Sequence, residues 1–264
     1  MRAVDCVLGV LWLIICQTAA DFRTNMTTDM PAPQANRTLS LSDWEQKWHD
    51  NKISFHQPEV HRLLEANIDK VIDGRTSVRF FFPLCGKAVD MKWLADMGHS
   101  VVGVEISELA IRQFFEESNL TYSKEPVPAI PGAMVYKNSE KNISIYQCDL
   151  FSFSSSIDGQ FQGIWDRGSL VAINPKDRDK YAALMTSLMA QDCRYLLWTI
   201  VYNAELYGGP PFSVPHEQVQ SLYGTSCDLE LLYSEESLKQ KYQSWGVDSV
   251  TENVHLIALK SIEN

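Results

Sequence analysis

Short β-type apolar runs alternate with helical patterns along the middle of this chain, and that rhythm limits the folds open to it. The run at 78–82 is followed by a loop, Pro83-Leu84-Cys85-Gly86-Lys87, and a helical pattern through Val89, Met91, Leu94 and Met97. A second run at 100–104 ends on Glu105 and leads into a helix over 108–117. Further strands are expected at 143–146, just before Asp149, and at 161–165, before Asp166. A helix at 176–189 and a central strand at 195–201 follow. A helix at 215–223 precedes a terminal strand at 250–259, paired as a hairpin with 228–233. Continuous apolar runs suit strands buried on both faces, and strand–helix alternation at this spacing gives a doubly wound, mostly parallel α/β sheet with helices on both faces.

A chain of 264 residues buries a full core as one such domain. Its charge balance of 23 basic against 33 acidic residues leaves a net −10, which repels phosphate backbones and argues against a nucleic-acid partner. At the N-terminus, Arg2, an apolar run at 6–16 and Thr18-Ala19-Ala20 have the parts of a secretory signal, although Asp5 cancels the leading charge. Sequons stand at Asn25, Asn36, Asn119 and Asn142 and matter only in a secretory compartment. The remaining cysteines, Cys85, Cys148, Cys193 and Cys227, form no CxxC pair and read mostly as buried thiols, which points away from a disulfide framework. The expected organisation is a signal-like leader at 1–20, a disordered linker at 21–40 rich in Pro, Thr and Asn, and one domain at 41–264 with a helical lid over 41–75. In that lid Ser42 and Glu45 make a capping box, Trp44 and Trp48 share a helix face, and a second helix runs over 58–72.

In an open α/β sheet the ligand sits at the carboxyl ends of the strands. Four loops supply that edge: 83–87, 105–107, 149–150 and 166–168. Gly86 allows a tight turn close to a ligand, and Glu105, nineteen residues on, is placed to accept from both hydroxyls of a ribose. Only one glycine is present, so the loop is neither a GxGxxG fingerprint nor a P-loop. A nucleoside without phosphates fits such a loop, and S-adenosylmethionine is a ligand of that kind. Glu105 could also be a plain helix-capping carboxylate, Asp149 a plain strand-end acid, and Arg167 a salt-bridge partner of Asp166. No HExxH, GxSxG or zinc-type Cys/His spacing occurs, and no metal is expected.

The segments Phe80-Phe81-Phe82-Pro83-Leu84-Cys85-Gly86-Lys87-Ala88-Val89-Asp90-Met91-Lys92-Trp93 and Gly98-His99-Ser100-Val101-Val102-Gly103-Val104-Glu105-Ile106-Ser107-Glu108 resemble the thiopurine S-methyltransferase family. So do Ile164-Trp165-Asp166-Arg167-Gly168, Gly209-Pro210-Pro211-Phe212 and Ser244-Trp245-Gly246, and the likeness runs colinearly from about residue 41 to the end. The resemblance implies a seven-stranded Rossmann-like methyltransferase sheet that binds S-adenosylmethionine and methylates the sulfur of aromatic or heterocyclic thiols. It implies cofactor positions at Trp44, Lys47, Trp48, Phe55, Leu84, Glu105, Asp149, Leu150 and Arg167, acceptor positions at Phe55, Arg167 and Lys241, and a catalytic electrostatic role for Arg167. It further implies a cytoplasmic monomer whose partner is a small-molecule thiol, with a secretory location as the alternative if the leader works as a signal. Lys241 stands where the mammalian members carry Arg, a point charge in place of a bidentate fork. Three alternatives stand beside it: a methyltransferase for selenium, tellurium or aliphatic thiols, a secreted, catalytically silent paralogue that binds a nucleoside or a protein partner, and a dehydrogenase, which the missing glycines disfavour.

Overall fold

The architecture was read from a computed structural model, which describes residues 38–236 and 240–261, the side chains of Gln240 and Lys241 excepted. All of these belong to one unit, 33–264. The leader at 1–20, the linker as far as residue 37, and the sequons at Asn25 and Asn36 lie outside the described residues.

Five parallel strands form the centre of the sheet, in the order β5-β2-β1-β6-β7: Ile143–Gln147, Ser100–Glu105, Arg79–Phe82, Phe161–Asp166 and Met189–Val201. Phe80, Phe81 and Phe82 of β1 are buried, as befits a strand with neighbours on both edges and helices on both faces. Between β1 and β2 lies a helix over Val89–Asp96, and after β2 another over Glu108–Glu117, capped by Ser107 Oγ on the Ala110 N–H. The helix over Arg178–Leu188 enters β7. Antiparallel strands close both ends, β3 (Ser123–Pro126) and β4 (Met134–Asn138) beside β5, and β9 (Thr251–Leu259) with β8 (Cys227–Glu236) beside β7.

Among the described residues the sheet therefore has nine strands rather than seven. The two unforeseen strands, β3 and β4, flank a proline-rich stretch whose Pro126 sits on the edge strand, where a missing N–H breaks no ladder. The 228–233 hairpin partner is present but longer, and β7 begins at Met189, six residues before the expected start.

The lid region departs from the sequence reading in two places. Its helix spans Leu41–His49 and is capped by Ser40 with Asp43, not Ser42 with Glu45: Ser40 Oγ accepts the Asp43 N–H at 3.2 Å and the Asp43 carboxylate accepts the Ser40 N–H at 2.7 Å. The expected helix over 58–72 is two short ones, Arg62–Glu65 and Ile68–Ile72. It starts late because the His61 N–H is spent on the Asp90 carboxylate, and it breaks where the Asn67 amide donates to the Leu63 carbonyl. The chain is tied down before residue 41: Leu39 exchanges two hydrogen bonds with the Asn174 amide, at 2.8 and 2.9 Å, in the loop after β6.

The described sequons, Asn119 and Asn142, are exposed and have left-handed backbone (φ +53° and +54°), a conformation asparagine adopts more readily than most residues. Replacing Asn174→Ala removes both anchors of Leu39 at a cost of about 1–2 kcal/mol. Amide exchange should accelerate at Leu39 and through the first lid helix while the central strands stay protected; equal protection would show that the anchor is idle.

Candidate functional site

The chain runs outward from β1 through β2 to β5, then returns to β6 and β7, so the strand order reverses between β1 and β6. That reversal opens a crevice at the carboxyl edge, where α/β sheets bind ligands. A cavity of about 740 Å³ lies there, lined by Leu84, Gly86, Glu105, Asp149, Leu150 and Arg167 from the strand ends, and covered by Trp44, Lys47, Trp48 and Phe55. This volume falls within the usual range of small-molecule sites.

The loop after β1 has a strained backbone: Leu84 has φ +45° and Gly86 φ +51°. A left-handed leucine costs about 1–2 kcal/mol and persists only where its surroundings impose it. The turn is held at both ends, by the Cys85 N–H on the Val104 carbonyl at 2.9 Å and by the Ser169 hydroxyl on the Pro83 carbonyl. Gly86 also lies flat under the lid, since a Cβ there would meet Trp48 Cζ2 at 3.0 Å.

Glu105, 5% exposed, ends β2. One carboxylate oxygen accepts the Gly86 N–H at 2.9 Å and the other the Ser107 N–H at 2.8 Å. Burial pushes its carboxyl above the usual range, and the Ser107, Gly86 and Ile106 N–H groups pull it back. Each oxygen of a carboxylate has about two lone pairs, so both keep one for a vicinal diol. Asp149 is less free: its carboxylate caps the turn that starts at Leu150, accepting the Phe151 N–H at 3.0 Å.

Arg167 and Asp166 point apart. Asp166 is fully buried and accepts from the Tyr181 and Tyr195 hydroxyls at 2.6 and 2.7 Å and from the Leu170 N–H at 3.1 Å, which braces the turn carrying Arg167. Arg167 instead donates to the Phe55 carbonyl at 2.7 Å, joining the β6 loop to the lid. Desolvation lowers the pKa of its guanidinium, while Asp90 and Tyr242 oppose the shift. The lid aromatics pack edge to face, with Phe55 5.6 Å from Trp48 and 6.0 Å from Trp44, and Lys47 sits 5.7 Å from the Trp44 ring.

All nine residues expected on the cofactor side thus line one cavity. Lys241 lies in the short helix Gln240–Gln243, and its side chain is outside the described residues. Sequence reasoning passed over several lining residues. Asp90 was hidden as an ordinary first-turn acid of the helix after the loop, and Tyr207, Tyr242 and Trp245 form an aromatic group in which Tyr207 and Trp245 stack at 4.5 Å. The Ser244-Trp245-Gly246 motif was the available signal. His56 also lines the cavity, with its pKa lowered by burial, Lys87 and Arg167. The four described cysteines are free and buried, and burial pushes the Cys148 thiol up to about 12, so none suits a nucleophile.

The sheet with its edge cavity is that of the class I methyltransferases. By fold it is similar to a Burkholderia thailandensis 1,6-didemethyltoxoflavin-N1-methyltransferase solved with S-adenosylhomocysteine (TM-score 0.57, 15% identity, 86% of this chain and 94% of that one). It is similar as well to the N-methyltransferase NodS of Bradyrhizobium japonicum, also solved with S-adenosylhomocysteine (TM-score 0.54, 10% identity, 81% and 99%). Residues 39–260 match the family model described as thiopurine S-methyltransferase. A probable thiopurine S-methyltransferase of Danio rerio is 57% identical over 86% of this chain and 98% of its own length. The thiopurine S-methyltransferase of Oryctolagus cuniculus is 48% identical over 86% and 93%. The chain belongs to the thiopurine S-methyltransferase family.

Gly86→Ala should cost about 1–2 kcal/mol in backbone strain and lower Tm by about 2–8 °C. It should also change Trp48 fluorescence, because the new methyl presses on that ring. Gly98→Ala, equally left-handed (φ +94°) but with nothing within 4 Å, should lower Tm while leaving the lid signal alone. Identical fluorescence changes in both variants would dissociate Gly86 from the lid.

Proposed function

We propose that this protein is an S-adenosylmethionine-dependent methyltransferase acting on the sulfur of aromatic or heterocyclic thiols. The observation that carries this reading is the Glu105 carboxylate, pinned by Gly86 and Ser107 with lone pairs left for a ribose diol, under a lid of aromatic rings. The residues present fit the cofactor. Glu105 would hold the ribose, Asp149, Leu150 and Leu84 would flank the nucleoside, and Trp44, Lys47, Trp48 and Phe55 would close over it. When bound, the cofactor supplies a methyl on a sulfonium sulfur: that S–C bond breaks with its electron pair left on the donor, and a lone pair of the acceptor thiolate forms the new bond.

The protein's part is alignment and exclusion of water. Arg167 would hold the acceptor as its anion, with Phe55 and Lys241 as the other acceptor positions that the family resemblance implies. A heterocyclic thiol is acidic enough to ionise near neutral pH, so no strong general base is required. Tyr207, Tyr242 and Trp245 add apolar walls suited to a planar acceptor. The four unpaired buried thiols support a reducing, cytoplasmic setting, and peptide mapping of the mature N-terminus tests it against secretion. The monomeric state implied by the family resemblance remains part of this proposal.

The direct test incubates the protein with methyl-labelled cofactor and 6-mercaptopurine. Label should appear in the S-methyl product, and Arg167→Ala should lower kcat/KM by about 100-fold. No transfer by the parent protein would overturn the reading; an Arg167→Ala variant equal to the parent would remove that residue's role.

A further inference from the structure

Glu252 carries a carboxylate into the sheet itself. It lies on β9, opposite Ile200 of β7 on one side and Glu235 of β8 on the other, and is 1% exposed. A strand paired on both edges has no need of a charge, burying one is costly, and a like charge directly opposite adds to the cost. Its two oxygens serve different parts of the protein. One accepts the Tyr242 hydroxyl at 2.8 Å, and the other accepts an N–H of Arg62 at 3.2 Å. Arg62 is half exposed and opens the lid helix Arg62–Glu65, and the same nitrogen donates to the Tyr233 hydroxyl at 2.9 Å.

Tyr242 stands on the cavity wall, next in sequence to Lys241. Its ring lies 4.8 Å from that of Trp245, which stacks on Tyr207, and both of these line the cavity too. The phenol hydroxyls of the group are held by protein: Tyr207 donates to the Pro210 carbonyl at 2.7 Å, as Tyr242 does to Glu252. A ring whose hydroxyl is bonded keeps one orientation, so the wall meets a planar acceptor already ordered. Glu252 and Arg62 stand behind that wall, off the cavity lining, and reach an acceptor through Tyr242. We propose that Glu252 is a positioning residue for acceptor binding: it holds the Tyr242 ring in the wall and, through Arg62, ties that wall to the lid. This inference rests on the thiol-methyltransferase reading of the same site.

The test is a double-mutant cycle on Tyr242→Phe, which removes the hydroxyl and keeps the ring, and Arg62→Met, which removes the cation and keeps a long side chain. KM and kcat are measured for 6-mercaptopurine at saturating S-adenosylmethionine, and S-adenosylhomocysteine binding by calorimetry. Tyr242→Phe should raise KM about tenfold, the effect of a hydrogen bond to a charged group, and Arg62→Met about threefold, the effect of a half-exposed ion pair. In both, kcat and the affinity and stoichiometry for S-adenosylhomocysteine should change less than about twofold, a split that loss of fold does not produce. The double variant should raise KM no further than Tyr242→Phe alone, because Arg62 acts through that hydroxyl. Independent effects, about thirtyfold together, would overturn the proposal. So would an unchanged KM in Tyr242→Phe, or an equal loss of cofactor-product affinity.

Should Tyr242→Phe fail to fold, Glu252→Gln takes its place in the cycle. The amide keeps an oxygen for the Tyr242 hydroxyl and loses the charge that holds Arg62. Adding Arg62→Met should then leave KM unchanged, and a further rise of about threefold would overturn the shared carboxylate. A parent protein that binds no S-adenosylhomocysteine and methylates no thiol refutes the functional reading. A parent that does both, beside variants with its own KM, refutes the role of Glu252 alone.

Discussion

The contact between Glu105 and the Gly86 amide sets one wall of the site. It fixes the end of β2 to the turn after β1 at 2.9 Å, across the two strands whose carboxyl ends form one wall of the cavity. A buried carboxylate is tolerable only when donors surround it, and here the backbone of two loops provides them. The turn in which Leu84 and Gly86 take left-handed backbone is thereby held in place, and Trp48 can lie directly over it. Without that contact the loop, the lid ring above it and the acid would lose their common reference.

The opposite wall follows the same logic with other groups. Asp166 spends its charge inward on Tyr181, Tyr195 and the Leu170 N–H, leaving Arg167 to face the cavity. Neighbouring residues of opposite charge thus do separate work, one bracing the turn and the other reaching the lid through Phe55. Asn174 adds a third tie between this loop and the chain entering the lid. The lid is accordingly fastened to the β6 side by polar contacts, and to the β1 side by the packing of Trp48 over Gly86 and by the His61–Asp90 hydrogen bond.

Much of this was legible in the residues. Continuous apolar runs mark β1 and β2 because both faces are covered, alternation marks β5, and the acids that end or follow the strands mark the functional edge. The helix Glu108–Glu117 agrees with its sequence pattern to the residue because Ser107 caps it locally. The lid was harder to read. Its helix starts from Ser40 because Leu39 is held by Asn174, 135 residues away, and the second helix is cut short because His61 bonds to Asp90, 29 residues on. Local periodicity holds no record of such partners. The edge strand β3 escaped notice for a related reason: Ser123–Pro126 is exposed throughout and lacks a hydrophobic pattern, existing only by pairing with β4. Asp90 was missed because an acid in a first helical turn already has an ordinary explanation in the helix dipole.

A calorimetric titration decides whether Glu105 receives the nucleoside. S-adenosylhomocysteine is added to the parent protein and to Glu105→Gln in a calorimeter. The parent should bind it one to one, and the variant about 10- to 100-fold more weakly, since a charged acceptor for the ribose diol is worth about 1.5–3 kcal/mol. Equal affinities in the two proteins would mean that the acid at the end of β2 does not receive the nucleoside.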